Sequence, residues 1–157
     1  MSTYISRRVQ GEINRDWDNN DSIVFFDSYN NDSCKFIIFE DCLGFHHPFF
    51  QITIDFKNSG FPFKPPTNIK INTLNYFEFI KCHSDNYKHL NKIIGKKCLC
   101  CSSLLCRNNW NVQISMKKII NEIIENIKIK QRLVEIIHGD KIIDKYFGFY
   151  LPITEYL

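Results

Sequence analysis

Apolar residues fall first at helical spacing and then at strand spacing along the chain. Ile5, Val9 and Ile13 recur every four residues, with Arg7, Arg8, Glu12 and Arg15 on the other faces. That pattern predicts a short amphipathic helix over 3–16, with Ser2 or Thr3 as its cap. Segments 22–29, 34–41 and 49–56 are rich in β-branched and aromatic residues and are separated by polar clusters such as "NNDS". They predict three consecutive antiparallel strands. In the third, Phe50, Ile52, Ile54 and Phe56 alternate with Gln51, Thr53 and Asp55, giving one buried and one wetter face. Pro62, Pro65 and Pro66 then remove backbone donors, so "GFPFKPP" must be an ordered extended turn leading into a fourth strand over about 67–72. Residues 73–97 show neither period. Beyond them Met116, Ile119, Ile120, Ile123, Ile124 and Ile127 recur at spacings of 3, 1, 3, 1 and 3, the stripe of a helix laid on a sheet. Ser115 can cap this helix, and Gly139 is the first residue that would stop it.

A length of 157 residues suits one globular domain, 1–157. The formal charge of +3 is far from the excess of a nucleic-acid binder, so no nucleic-acid partner is expected. No run approaches the roughly 18 apolar residues of a membrane span, and the first residues lack the apolar block of a signal peptide. The expectation is a cytoplasmic protein with no membrane partner. In that reducing compartment the seven cysteines stay thiols.

Four of them, Cys98, Cys100, Cys101 and Cys106, lie within nine residues. Cys34, Cys42 and Cys82 read as packing residues, since thiols are among the most buried side chains. The cluster differs because Lys96, Lys97 and Arg107 surround it, and nearby cations favour the thiolate, which makes a nucleophile plausible there. Cys98 and Cys101 also form a C-x2-C pair, with Cys82, His83, His89 and Cys106 as further candidate ligands. Structural zinc sites usually repeat that unit or pair it with spaced histidines, and no second unit occurs, so no metal is expected. His46 and His47 read as a solvated pair before Pro48, and His138 as a residue near a helix end.

Three stretches in order resemble the ubiquitin-conjugating enzyme family. "FFQITIDFKNSGFPFKPPTNIKI" is similar to its third strand and Tyr-Pro-Phe-Lys-Pro-Pro loop, with Phe61 in place of tyrosine. "HLNKIIGKKCLC" resembles its His-Pro-Asn element, glycine turn and catalytic Cys-Leu, with Leu90 in place of proline. "WNVQISMKKII" resembles the tryptophan segment that opens the helix after the active site. The resemblance implies an α+β fold: an N-terminal helix, a four-stranded antiparallel meander packed on a central helix, and a divergent C-terminal helical segment. It makes 73–88 an insertion before the His-x-Asn element.

By the same resemblance, Cys98 accepts ubiquitin or a ubiquitin-like protein as a thioester from an activating enzyme, and a ligase helps pass it to a substrate lysine. Cys101 is the rival nucleophile, better spaced to Trp110 but worse to Asn91. Asn91 becomes the oxyanion donor or holds the loop that creates the site. His89 becomes a loop histidine bonding backbone. Phe63, Val112 and Gln113 become ligase contacts, although the family's proline after the tryptophan is absent, and Arg7 and Arg8 contacts for the activating enzyme. No acidic gate residue is assigned; Asp140 is available without a motif. ATP is consumed by the activating enzyme, so no cofactor is implied. A catalytically silent domain of the same fold that binds ubiquitin or a ligase is the alternative.

Overall fold

The computed structural model describes residues 2–17, 24–30, 32–39, 49–82, 84–96 and 98–138. Cys42, His46, His47, His83, Lys97, Gly139, Asp140 and the expected C-terminal segment lie outside these residues, as do the side chains of Ser2, Thr3, Ile5 and His138. The fold is α+β. Helix α1 (Ser2–Asp16) precedes strands β1 (Val24–Tyr29), β2 (Ser33–Phe39), β3 (Phe49–Asp55), β4 (Asn68–Ile71) and β5 (Leu74–Asn75). Helices α2 (Tyr76–Ile80), α3 (Tyr87–Ile94) and α4 (Met116–His138) follow.

The strands pair antiparallel in sequence order, so the sheet is a meander. Among the described residues it has five strands rather than the expected four. The extra strand follows from Asn72, whose φ of 53° is left-handed, a conformation asparagine tolerates. Its backbone N–H donates to the Gln51 carbonyl at 2.7 Å and its Oδ1 accepts from the Gln51 N–H at 2.9 Å. The chain thus reverses in two residues and pairs Leu74 with Ile71.

Alternation on β2, β3 and β4 sends Cys34, Phe36, Ile38, Ile52, Ile54, Ile69 and Ile71 into one core with the α4 stripe of Met116, Ile119, Ile120, Ile123, Ile124 and Ile127. Burying each such isoleucine stabilises the fold by about 1.5–3 kcal/mol. At the C-terminal end of α1, Trp17 lies against Phe36 with ring centroids 4.7 Å apart.

A polar joint fixes α1 to the start of α4. Glu12 is buried, and its Oε2 accepts the Met116 N–H at 2.7 Å, satisfying a donor that the first turn of a helix cannot pair internally. Its Oε1 accepts from Arg8 Nε at 2.9 Å, and Arg8 Nη2 donates to the Ile114 carbonyl at 3.1 Å. Ser115 Oγ accepts the Lys118 N–H, capping α4 as its position implied. Replacing Glu12 with alanine strands the Met116 N–H and removes the carboxylate that pairs Arg8, which keeps only the Ile114 carbonyl. The expected cost is about 2 kcal/mol, read as a lower urea midpoint at unchanged slope. Arg15→Ala, which breaks only a surface pair with Asp16, should leave the midpoint in place.

Candidate active site and thiol cluster

The chain reaches the cysteines from α3. Leu90 is fully buried and α3 packs on α4. Gly95 ends the helix at φ 68°, with its N–H donating to the Asn91 carbonyl at 2.8 Å, a left-handed cap that glycine adopts without a Cβ penalty. After Leu99, whose side chain is buried, Cys100–Ser102 forms a single 3-10 turn. Asn109 Nδ2 clamps this turn by donating to the Cys101 carbonyl at 3.0 Å and the Ser103 carbonyl at 2.9 Å. Glu122 holds the next residues, its Oε1 accepting from the Ser103 hydroxyl and its Oε2 from the Leu104 N–H.

The turn gathers three sulfurs. Those of Cys98, Cys100 and Cys101 all lie within 4.8 Å of one another, and Cys100 Sγ is 3.9 Å from Cys101 Sγ. Cys98 and Cys100 are half-buried and Cys101 is exposed. The Cys98 thiol is held below its ordinary pKa, first by the Cys101 backbone N–H and then by the Cys101 thiol, with Cys100 adding smaller contributions. The neighbours are affected in the opposite sense. Burial raises Cys100, and hydrogen bonding to Cys98 pushes Cys101 up to about 11. Cys98 is therefore the thiol of this group that ionises first. Cys106 stands apart in the following turn, with its carbonyl accepting from the Trp110 N–H at 3.0 Å.

Two expected site residues take unexpected places. His89 and Asn91 sit on helix α3, not on a loop; His89 is half-buried and Asn91 exposed. Leu90 explains the difference. Proline at that position would lack an N–H and would push residue 89 out of the helical region, whereas leucine continues the helix and supplies its buried anchor. The groups that do bond the Cys98 sulfur are the backbone N–H and thiols of Cys101 and Cys100.

The proline-rich loop and the segment after Trp110 form a second feature. Trp110 Nε1 donates to the Pro62 carbonyl at 2.9 Å, and the peptide between Phe61 and Pro62 is cis. Phe61 is buried between Phe56, at 4.9 Å between centroids, and Trp110, at 6.0 Å. This locks two loops together and leaves Phe63, 78% exposed, with Val112 and Gln113 also exposed. A cleft of about 380 Å³ runs between this proline loop and the turn after the cysteines, lined by Lys64, Pro66, Phe77, Leu105 and Arg107 among others. Arg7 is exposed on α1, but Arg8 is not a free basic handle. Its guanidinium is committed to Glu12 and Ile114 and lies 5.1 Å over the Phe61 ring.

Lys130 stands out on helix α4. Lys130 is fully buried on α4, donating to the Lys81 carbonyl at 2.6 Å and lying 5.9 Å over the Phe79 ring. Burial brings its pKa down to about 8, opposed by Cys82. Helical spacing from Ile127 carries this signal, because residue 130 falls on the buried face of the stripe.

No family model and no curated protein matches the chain. No helix among the described residues is long and apolar enough to cross a membrane.

The thiols should separate by reactivity. With limiting iodoacetamide followed by peptide mass analysis, Cys98 is expected to be alkylated first, with a half-maximal rate below the pH of an ordinary thiol; Cys101 should react only as pH approaches about 11. Equal labelling of both at neutral pH would contradict the hydrogen-bonded thiolate.

Proposed function

We propose that the chain is a conjugating enzyme of the ubiquitin type, carrying ubiquitin or a ubiquitin-like protein on Cys98. The observation that carries this reading is the Cys98 thiol, part-exposed and held toward the thiolate by the backbone N–H of a clamped turn. The order of elements supports it: N-terminal helix, antiparallel meander, proline-rich loop, cysteine turn and long helix agree with the layout of a UBC-like domain. Phe63, Val112 and Gln113 supply an exposed, rigidly mounted surface for a ligase, and Arg7 an exposed cation for the activating enzyme.

In this mechanism the Cys98 thiolate attacks the carbonyl carbon of the modifier's C-terminal thioester on the activating enzyme, and that enzyme's thiolate leaves. The new thioester is then attacked by a substrate lysine amine. The C–S bond breaks, an amide forms, the amine gives up its proton to solvent, and Cys98 is restored as a thiolate. Both steps pass through an oxyanion that needs fixed donors. With Asn91 on α3, the backbone N–H groups of Cys101 and Cys100, which bond this sulfur, are the candidate donors.

The helical placement of His89 and Asn91 favours a second reading, a catalytically silent domain that binds a ligase or ubiquitin through the Phe63 surface. A non-reducing gel of the chain with activating enzyme, ATP and ubiquitin separates the two. The expected result is a reductant-labile adduct lost in Cys98→Ala and kept in Cys101→Ala. No adduct with ubiquitin or any ubiquitin-like modifier would remove the enzyme reading. Modifier or ligase binding that is weakened by Phe63→Ala would then identify the silent domain.

A further inference from the structure

Three cysteines in four residues do not converge automatically. In an extended strand Cys98 and Cys100 would share one face and Cys101 the other; in an α-helix Cys98 and Cys101 would align with Cys100 turned well away. Here burial of Leu99 turns the chain inward at one residue, and the 3-10 turn that follows brings all three sulfurs to one side. Asn109 holds that turn by two hydrogen bonds to its carbonyls, and Ser102 Oγ by a third to the Leu99 carbonyl at 3.1 Å. The sulfurs are thus placed before any ligand arrives.

We propose that Cys98, Cys100 and Cys101 form a three-thiolate binding site for a soft d10 metal ion, Zn2+ or Cu+. With metal–sulfur bonds of about 2.3 Å, ligand sulfurs stand about 3.8 Å apart on a tetrahedron and about 4.0 Å apart in a trigonal plane. The Cys100–Cys101 separation of 3.9 Å meets both, and the remaining pairs, within 4.8 Å, need close by no more than about 1 Å. Thiolates select this class of ion over hard cations. Cu+ would be complete with three sulfurs, whereas Zn2+ would keep a fourth position facing solvent, where Cys101 is exposed.

The electrostatics act in the same direction. Three thiolates with their sulfurs within 4.8 Å of one another repel in the absence of a cation. A cation among them reverses the sign of that interaction, so the three thiols give up their protons to solvent on binding. The sequence pattern argued against zinc because C-x2-C is not repeated; the fold supplies the third ligand from Cys100, inside that unit.

This site does not rest on the acyl-transfer reading, and its test measures metal directly. The reduced, metal-stripped chain is titrated separately with Zn2+ and Cu+ against chromophoric chelators, and with Co2+ as a spectroscopic stand-in. One ion is expected per chain, with a sulfur-to-cobalt charge-transfer band in the near ultraviolet. Loss of an outer-shell partner typically weakens a metal site about 10- to 100-fold, so loss of a ligand in Cys98→Ser, Cys100→Ser or Cys101→Ser should cost at least about 100-fold in affinity. Cys106→Ser should bind as the parent does. Urea unfolding of each metal-free variant separates a lost ligand from a lost fold. Failure of both Zn2+ and Cu+ to bind one per chain, or binding that survives the ligand substitutions in folded variants, would overturn the site.

Discussion

Glu122 reaches from α4 to two segments remote in sequence, and the placement of the thiols depends on it. Its Oε1 accepts from the Tyr76 hydroxyl at 3.0 Å and from Ser103, and its Oε2 from the Leu104 N–H. Hydrogen bonds to a charged group contribute about 1.5–3 kcal/mol each, which makes this carboxylate one of the stronger polar anchors in the fold. Tyr76 is fully buried, and burial together with the Glu122 charge holds its phenol far above the ordinary value, so it remains a donor. Its oxygen in turn accepts from Asn126 Nδ2 at 2.6 Å. One helix thereby fixes both the segment that follows the sheet and the residues that close the cysteine turn.

The elements legible in the sequence were those whose pattern matches one period over many residues. The α4 stripe, the β3 alternation and the amphipathic face of α1 come from burial against a single core, and the structure buries Val9, Ile13, Ile52, Ile54 and the stripe isoleucines Ile119, Ile120, Ile123, Ile124 and Ile127 accordingly. The segment after β4 was opaque because its elements are short: a strand of two residues, a helix of five and a helix of eight. Each is set by one local device. Asn72 turns the β4–β5 hairpin, Asn75 Oδ1 accepts the N–H groups of Phe77 and Glu78 to start α2, and Gly95 ends α3. Such signals are readable only once the tertiary partners of Tyr76, Phe79, Ile80 and Leu90 are known.

The candidate site was legible to the same degree. Spacing points to Cys98, and its ionisation follows from the backbone of the turn, which no residue pattern encodes. Resemblance carried Asn91 and His89 to a loop because the family's element holds a proline there; the residue that breaks the resemblance, Leu90, is the residue that makes the segment helical. Arg8 shows the converse. Its charge read as a surface handle, yet the buried Glu12 and the Phe61 ring claim it for the joint between α1 and α4.

A nucleophile and a metal site make opposite demands on one sulfur. The proposed acyl transfer would need Cys98 uncoordinated and ionised, the state favoured by the Cys101 N–H, while Cys100 and Cys101 are shifted the other way. Coordination needs all three ionised, a state that only a cation between them can stabilise. The two states differ little in geometry, since sulfurs already within 4.8 Å need close by no more than about 1 Å, so passing between them would need proton loss more than rearrangement of the chain. Free metal concentration and pH would then act on the same thiol with opposite consequences. Higher pH favours the thiolate in either proposed role, but added metal would remove from the proposed acyl transfer the very sulfur that higher pH makes reactive.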